Sequence, residues 1–176
     1  MATEAFRGEF YQKVDSKARV SIPASLRRIL ELEDPGASNT QRARVNMVYG
    51  GAGRNFVECY SMNGARDLNF RIQQLPMGSK EREKAELTFI TRSTDVEIDE
   101  DGRLVLPAKV RAKMGVTVDD LAKGFAAAFA GRLERFQLWK GDTYDAIVVA
   151  ADEDGDDDLL NGQDPLILLK NTTSGV

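Results

Sequence analysis

The sequence contains no histidine and a single cysteine, Cys59. Without imidazole there is no Ser-His-Asp or Cys-His nucleophile system, and the commonest transition-metal ligand is missing. A lone thiol has no internal disulfide partner, which fits a reducing compartment. No apolar run is long enough to span a bilayer. Glu4 and Arg7 interrupt any apolar stretch that a signal peptide would need. A cytoplasmic chain with no membrane contact is therefore expected. Two motif-like runs also fail. Gly50-Gly51-Ala52-Gly53 lacks the Lys-Ser/Thr ending and following helix of a phosphate loop, and reads as a hairpin turn. The acidic run from Asp152 to Asp158 lacks the ligand periodicity and terminal glutamate of a calcium loop, and reads as solvated acidic chain. No carboxylate pair or nucleophile constellation remains, so neither an enzyme nor a cofactor is expected.

What is present is a segment that occurs twice, 84 positions apart. Residues 14–30 read VDSKARVSIPASLRRIL and residues 98–114 read IDEDGRLVLPAKVRAKM. Asp15 matches Asp99, Arg19 matches Arg103, Pro23 matches Pro107, Ala24 matches Ala108 and Arg27 matches Arg111. Such self-similarity means that one supersecondary unit is built twice, and its site with it. In each copy alternating residues predict a strand, DSKA or DEDG a tight turn, then a second strand, and proline the start of a short helix. Leu26, Ile29 and Leu30 fall on one face of the first helix.

An apolar hairpin is predicted after each copy: residues 45–49 with 56–60, and residues 125–130 with 136–139 around Gly131-Arg132. By propensity alone GFAAAFAG prefers helix, and only the repeat argues for a strand there. If Tyr60 answers Trp139, their offset is 79 rather than 84, so the first half holds about five extra residues; the polar stretch Glu33 to Arg44 is the expected place. Cys59 and Trp139, in apolar strands, read as core.

Helical stripes follow. Leu68, Ile72 and Leu75 make one, residues 79–90 an amphipathic helix with Ala85 and Phe89 on one face, and Tyr144, Ile147, Val148 and Ala151 another. The expected organisation is repeat 1 over 8–62, connecting helices over 63–93, repeat 2 over 94–142, a C-terminal helix over 143–152 and an acidic flexible tail over 153–176. Leu166 to Leu169 is a candidate docking segment within that tail. The net charge of −4 is unevenly spread: residues 1–95 carry 15 Lys+Arg against 12 Asp+Glu, so an acidic chain keeps a basic first half.

On these residues the chain resembles the MraZ family of bacterial transcription regulators, over roughly residues 6–150 from the opening Phe6-Arg7-Gly8-Glu9. The Asp-x-x-x-Arg motif followed by a strand and proline occurs at Asp15 to Arg19 with Pro23 and at Asp99 to Arg103 with Pro107. The resemblance implies an α+β, β-rich fold: a tandem SpoVT-AbrB-like swapped-hairpin barrel forming an intrachain pseudo-dimer with peripheral helices. It also implies a ring-shaped homo-oligomer, nucleoid-associated in the cytoplasm, binding direct repeats in double-stranded DNA upstream of the division and cell-wall gene cluster. The family usually has glycine where Ala18 stands. This first turn then either avoids positive φ or carries a strain of ~1 kcal/mol.

Arg19 and Arg103 each begin a strand just after a tight turn, which projects a guanidinium from a rigid element; that fork matches guanine O6 and N7, and the alternative for Asp15 with Arg19 is an Asx turn plus a surface ion pair. Lys17, Arg27 and Arg28 in the first copy, and Lys109, Arg111 and Lys113 in the second, are the expected phosphate contacts, with Arg27 and Arg28 reading equally well as an ordinary solvated helix face. Asp15 and Asp99 are expected to organise the turns, since a carboxylate repels phosphate. Ser16 and Lys17 stand where the second turn has Glu100 and Asp101, so the first repeat is expected to dominate. The alternative is an antitoxin-like protein-interaction module of the same fold. Single-unit chains of that kind are usually shorter, and the duplication argues against it.

Overall fold

A computed structural model describes residues 4–153, 160 and 162–170. The chain divides into two units, residues 1–141 and 142–176. In the first unit, β1 (Glu9–Val14) leads through a turn to β2 (Arg19–Ser21) and α1 (Ala24–Leu32). Pro23 is the N-cap of α1 rather than part of its first turn, and the stripe Leu26, Ile29 and Leu30 is buried. β3 (Arg44–Val48) and β4 (Phe56–Tyr60) form the hairpin around the glycine-rich turn. The second half repeats this plan with β5 (Ser93–Glu97), β6 (Arg103–Val105), α4 (Ala108–Lys113), β7 (Phe125–Gly131) and β8 (Phe136–Lys140). Between the halves lie α2 (Met62–Gln73), capped by Ser61, and α3 (Lys80–Ala85), capped by Ser79. The helix predicted over 79–90 changes at Glu86, and Glu86–Thr91 continues in wider π-type turns.

The fold is α+β and sheet-rich. Six strands make an open sheet in the order β1-β7-β8-β4-β3-β5, while β2 and β6 pair as a separate two-stranded ribbon. Exchanging the halves leaves that order unchanged. Each half's first strand pairs with the other half's hairpin, β1 with β7 and β5 with β3. The registers fix how the halves correspond. Val14 answers Ile98, 84 positions on; Val45 answers Ala127, 82 on; Tyr60 answers Trp139, 79 on. Two of the five extra residues therefore lie between α1 and β3, as expected, and three lie in the glycine-rich hairpin turn, which the sequence reading did not foresee. Two cross-strand pairs map onto themselves, Val20 with Leu104 in the ribbon and Glu58 with Gln137 in the sheet.

One core holds the ribbon against the sheet. Val20 and Leu104 belong to the same apolar cluster as Val57, Cys59, Phe136 and Leu138. β7 is a strand despite its alanines because both flanks are hydrogen-bonded, to β1 and β8; tertiary pairing outweighs the helical preference of alanine. A further helix, α5 (Val118–Lys123), was not foreseen. Thr117 and Asp120 form a capping box at its start, a signal present in the sequence as Thr-x-x-Asp.

Helical turns run on from β8: α6 (Gly141–Tyr144), wider turns at Asp145–Val149 and α7 (Ala150–Glu153). In the acidic run, residues 154–159 lie outside the described residues. Pro165–Leu169 forms a 3₁₀ turn with Leu166, Leu168 and Leu169 exposed. Among the described residues no helix is long and apolar enough to cross a membrane.

Candidate nucleic-acid interface

The two matched turns are built by their aspartates. Asp15 Oδ1 accepts from the backbone N–H of Lys17 and of Arg19, both at 2.9 Å, and Asp99 Oδ1 accepts from Asp101 and Arg103 at the same distances. The Arg19 and Arg103 backbone N–H groups are the largest cause that holds each carboxyl below the usual aspartate range. Backbone bonds close both turns, from Ala18 N to Asp15 O at 2.9 Å and from Gly102 N to Asp99 O at 3.0 Å. Ala18 takes φ +62° and Gly102 φ +76°. Of the two outcomes open for Ala18, the strained one holds.

The turns deliver the arginines to the ribbon. Val20 and Leu104 point into the core, so alternation puts Arg19, Ser21, Arg103 and Val105 on the outward face. Arg19 faces Val105 across the strands and Ser21 faces Arg103, which sets the two arginines on a diagonal, with side chains ~7 to 8 Å apart at their bases. The Arg19 Nε donates to Asp15 Oδ2 at 2.8 Å. This bond, made through Nε, holds the side chain against the turn. Among the described residues Arg103 has no matching ion pair with Asp99. Ser21 and Val105 were not singled out from the sequence, although the two-residue period around Val20 and Leu104 places them.

The other basic residues are not all brought to this face. Lys17 is exposed in the first turn. Arg27 reaches the second turn, where a Cβ on Gly102 would collide with its guanidinium, and also approaches Glu31 at 3.7 Å. Arg28 is exposed on α1 and paired with Glu4 at 2.8 Å. In the second half, Arg111 Nη1 donates to the Leu106 carbonyl at 2.5 Å. Lys109 sits 5.8 Å over the Tyr49 ring, and Lys113 donates to the Gly51 carbonyl, so both turn toward the first half's hairpin. Burial first, and Arg54 and Arg92 nearby, push the Lys113 ammonium pKa down. Glu100, in the second turn, lies 3.7 Å from Arg42.

Two like halves, each placing an arginine on an outward ribbon, make a duplicated α+β protein. No family model matches the chain. It is 50% identical over 169 residues to a protein named Transcriptional regulator MraZ from Cereibacter sphaeroides (strain ATCC 17025 / ATH 2.4.3), covering 96% of this chain and 98% of the relative. The protein of the same name from Ruegeria sp. (strain TM1040) is 43% identical over 164 residues, 93% of this chain and 94% of its own length. The chain belongs to the MraZ family of transcriptional regulators, a non-enzymatic role.

Proposed function

We propose that this chain regulates transcription by binding double-stranded DNA in a sequence-specific way, with the β2–β6 ribbon entering the major groove. The observation that carries this reading is the outward face of the ribbon, with Arg19 and Arg103 on a diagonal. A B-DNA major groove is ~12 Å wide and admits a two-stranded ribbon. Asp15 engages Arg19 through Nε, leaving the two terminal nitrogens to bind guanine O6 and N7. Val105, exposed between the arginines, supplies an apolar contact for a thymine methyl. Lys17, Arg27 and Arg28 hold phosphates beside the first turn. Lys109 and Arg111 play the lesser part in the second half, whose turn carries the acidic Glu100 and Asp101.

The exchange-symmetric strand order supports reading the halves as two SpoVT-AbrB-type units with swapped hairpins, an intrachain pseudo-dimer closing toward a barrel. Several copies then assemble as a nucleoid-associated ring that presents many ribbons to direct repeats upstream of the division and cell-wall gene cluster. The test is selection of sheared genomic DNA by the purified protein. Fragments with at least two short G-containing direct repeats should be enriched. No salt-sensitive enrichment, together with a stoichiometric heterologous protein in the preparation, would favour the antitoxin-like module instead.

A further inference from the structure

On the sheet face away from the ribbon there is a second concentration of positive charge. Val57 and Cys59 point into the shared core, so Glu58 and Tyr60 of β4 point the other way. There they border a cavity of about 500 Å³ between the sheet, α2 and the segment following α3. Pockets of this size hold single small molecules. Arg54 and Arg135, from the two hairpin loops, reach in from opposite halves and both bind the buried Glu58 carboxylate, Arg135 Nε at 2.7 Å. Arg71 of α2 also lines the cavity and has no carboxylate partner among the described residues. Three guanidinium groups thus meet the one carboxylate that lines the cavity, while Glu134, outside the lining, lies 3.7 Å from Arg135 Nη1. The remaining wall is apolar, formed by Leu68, Ile72, Leu75 and Phe89.

We propose that this cavity binds a small amphipathic anion: a carboxylate or phosphate head held by Arg71 and by the remaining N–H groups of Arg54 and Arg135, on an apolar body packed against Leu68, Ile72 and Phe89. Charge complementarity selects the head, because the guanidinium groups that line the cavity outnumber the carboxylates around them, Glu58 and Glu134. The apolar wall selects the body, because an inorganic anion leaves it uncovered. Tyr60 adds a hydroxyl donor at the same wall. Its pKa is pushed up, first by burial, and it stays protonated. The site stands independently of DNA recognition, since it lies across the sheet from the ribbon.

Titration of the full-length protein with decanoate, below its micelle-forming concentration, tests the proposal. Calorimetry gives the affinity. Trp139, the single tryptophan, reports locally because it stacks on Phe56 at 4.4 Å with Arg54 4.4 Å over the same Phe56 ring. One decanoate per chain should bind. Arg71→Gln, on an exposed helix position, should weaken binding by ~10-fold or more, the effect of losing one charged hydrogen bond. Glu58→Gln should tighten it by freeing two guanidinium groups, and glutamine already stands at the matched position, Gln137. Decanol, without the charge, and inorganic phosphate, without the body, should each bind more weakly than decanoate. Absence of saturable decanoate binding, or equal binding by wild type and Arg71→Gln, would overturn the proposal whether or not the Glu58 variant folds.

Discussion

Ala18 and Gly102 occupy the same place in the two turns, with φ +62° and +76°, yet they should respond differently to exchange. Gly102→Ala adds a Cβ in a left-handed conformation and against the Arg27 guanidinium. A loss of ~1 to 2 kcal/mol is expected from the backbone alone, read as a lower urea midpoint. Ala18→Gly relieves a similar strain, but it removes a buried methyl worth ~0.8 kcal/mol and loosens the unfolded chain. Its stability should stay within ~1 kcal/mol of wild type by the same measurement. The sequence left Ala18 with two possible conformations because the choice rests on bonds made elsewhere. Its carbonyl accepts from Leu106 N at 2.9 Å, and its own N–H donates to Asp15. By contrast the positions of Asp15, Arg19, Asp99 and Arg103 beside tight turns were legible, since turn chemistry is local.

At the scale of elements, the repeat carried most of what could be read. The strand pairing behind it is not local: the alternation in β1 reads the same whether its partner is β3 or β7, and only contacts between distant segments choose. The alanines of β7 show the same limit. The start of α5 is a local signal, the Thr117-to-Asp120 capping box. Its cap also makes the clearest acid-sensitive contact. Asp120 accepts from Lys140 at 2.8 Å, and that bond, with those from Thr117, holds its pKa down to about 2. A folded pKa below the unfolded value of ~3.9 gives stability that is present above pH ~4 and lost as pH falls toward 2. Asp120→Asn should therefore flatten the fall in stability between those pH values, measured as urea midpoints at pH 4 and pH 2.5. An unchanged slope would mean that the bond to Lys140 is not held in solution.

At the scale of the whole molecule, the proposed ring would present ribbons at fixed intervals, whereas DNA presents one groove edge per ~10 to 10.5 bp. Joined faces raise the effective concentration of later contacts, adding avidity of ~10² to 10⁴ when the geometry permits. Inserting half a turn between two repeats should collapse affinity, and a full turn should restore part of it, in a binding assay at constant salt. Truncation before residue 153 should raise nonspecific DNA affinity, an effect that shrinks as salt rises, because it removes an acidic segment that competes with phosphate.

The most direct measurement is the affinity of wild type, Arg19→Ala and Arg103→Ala for one selected operator at fixed salt, with fold and assembly checked in parallel. Both side chains are exposed on the ribbon, so neither change should disturb the core. Each guanidinium–guanine pairing is worth ~1 to 3 kcal/mol of discrimination. Arg19→Ala should lose specific binding, and Arg103→Ala should lose less because Glu100 and Asp101 stand beside it. Two correctly folded variants that bind as tightly as wild type would contradict a groove-reading ribbon.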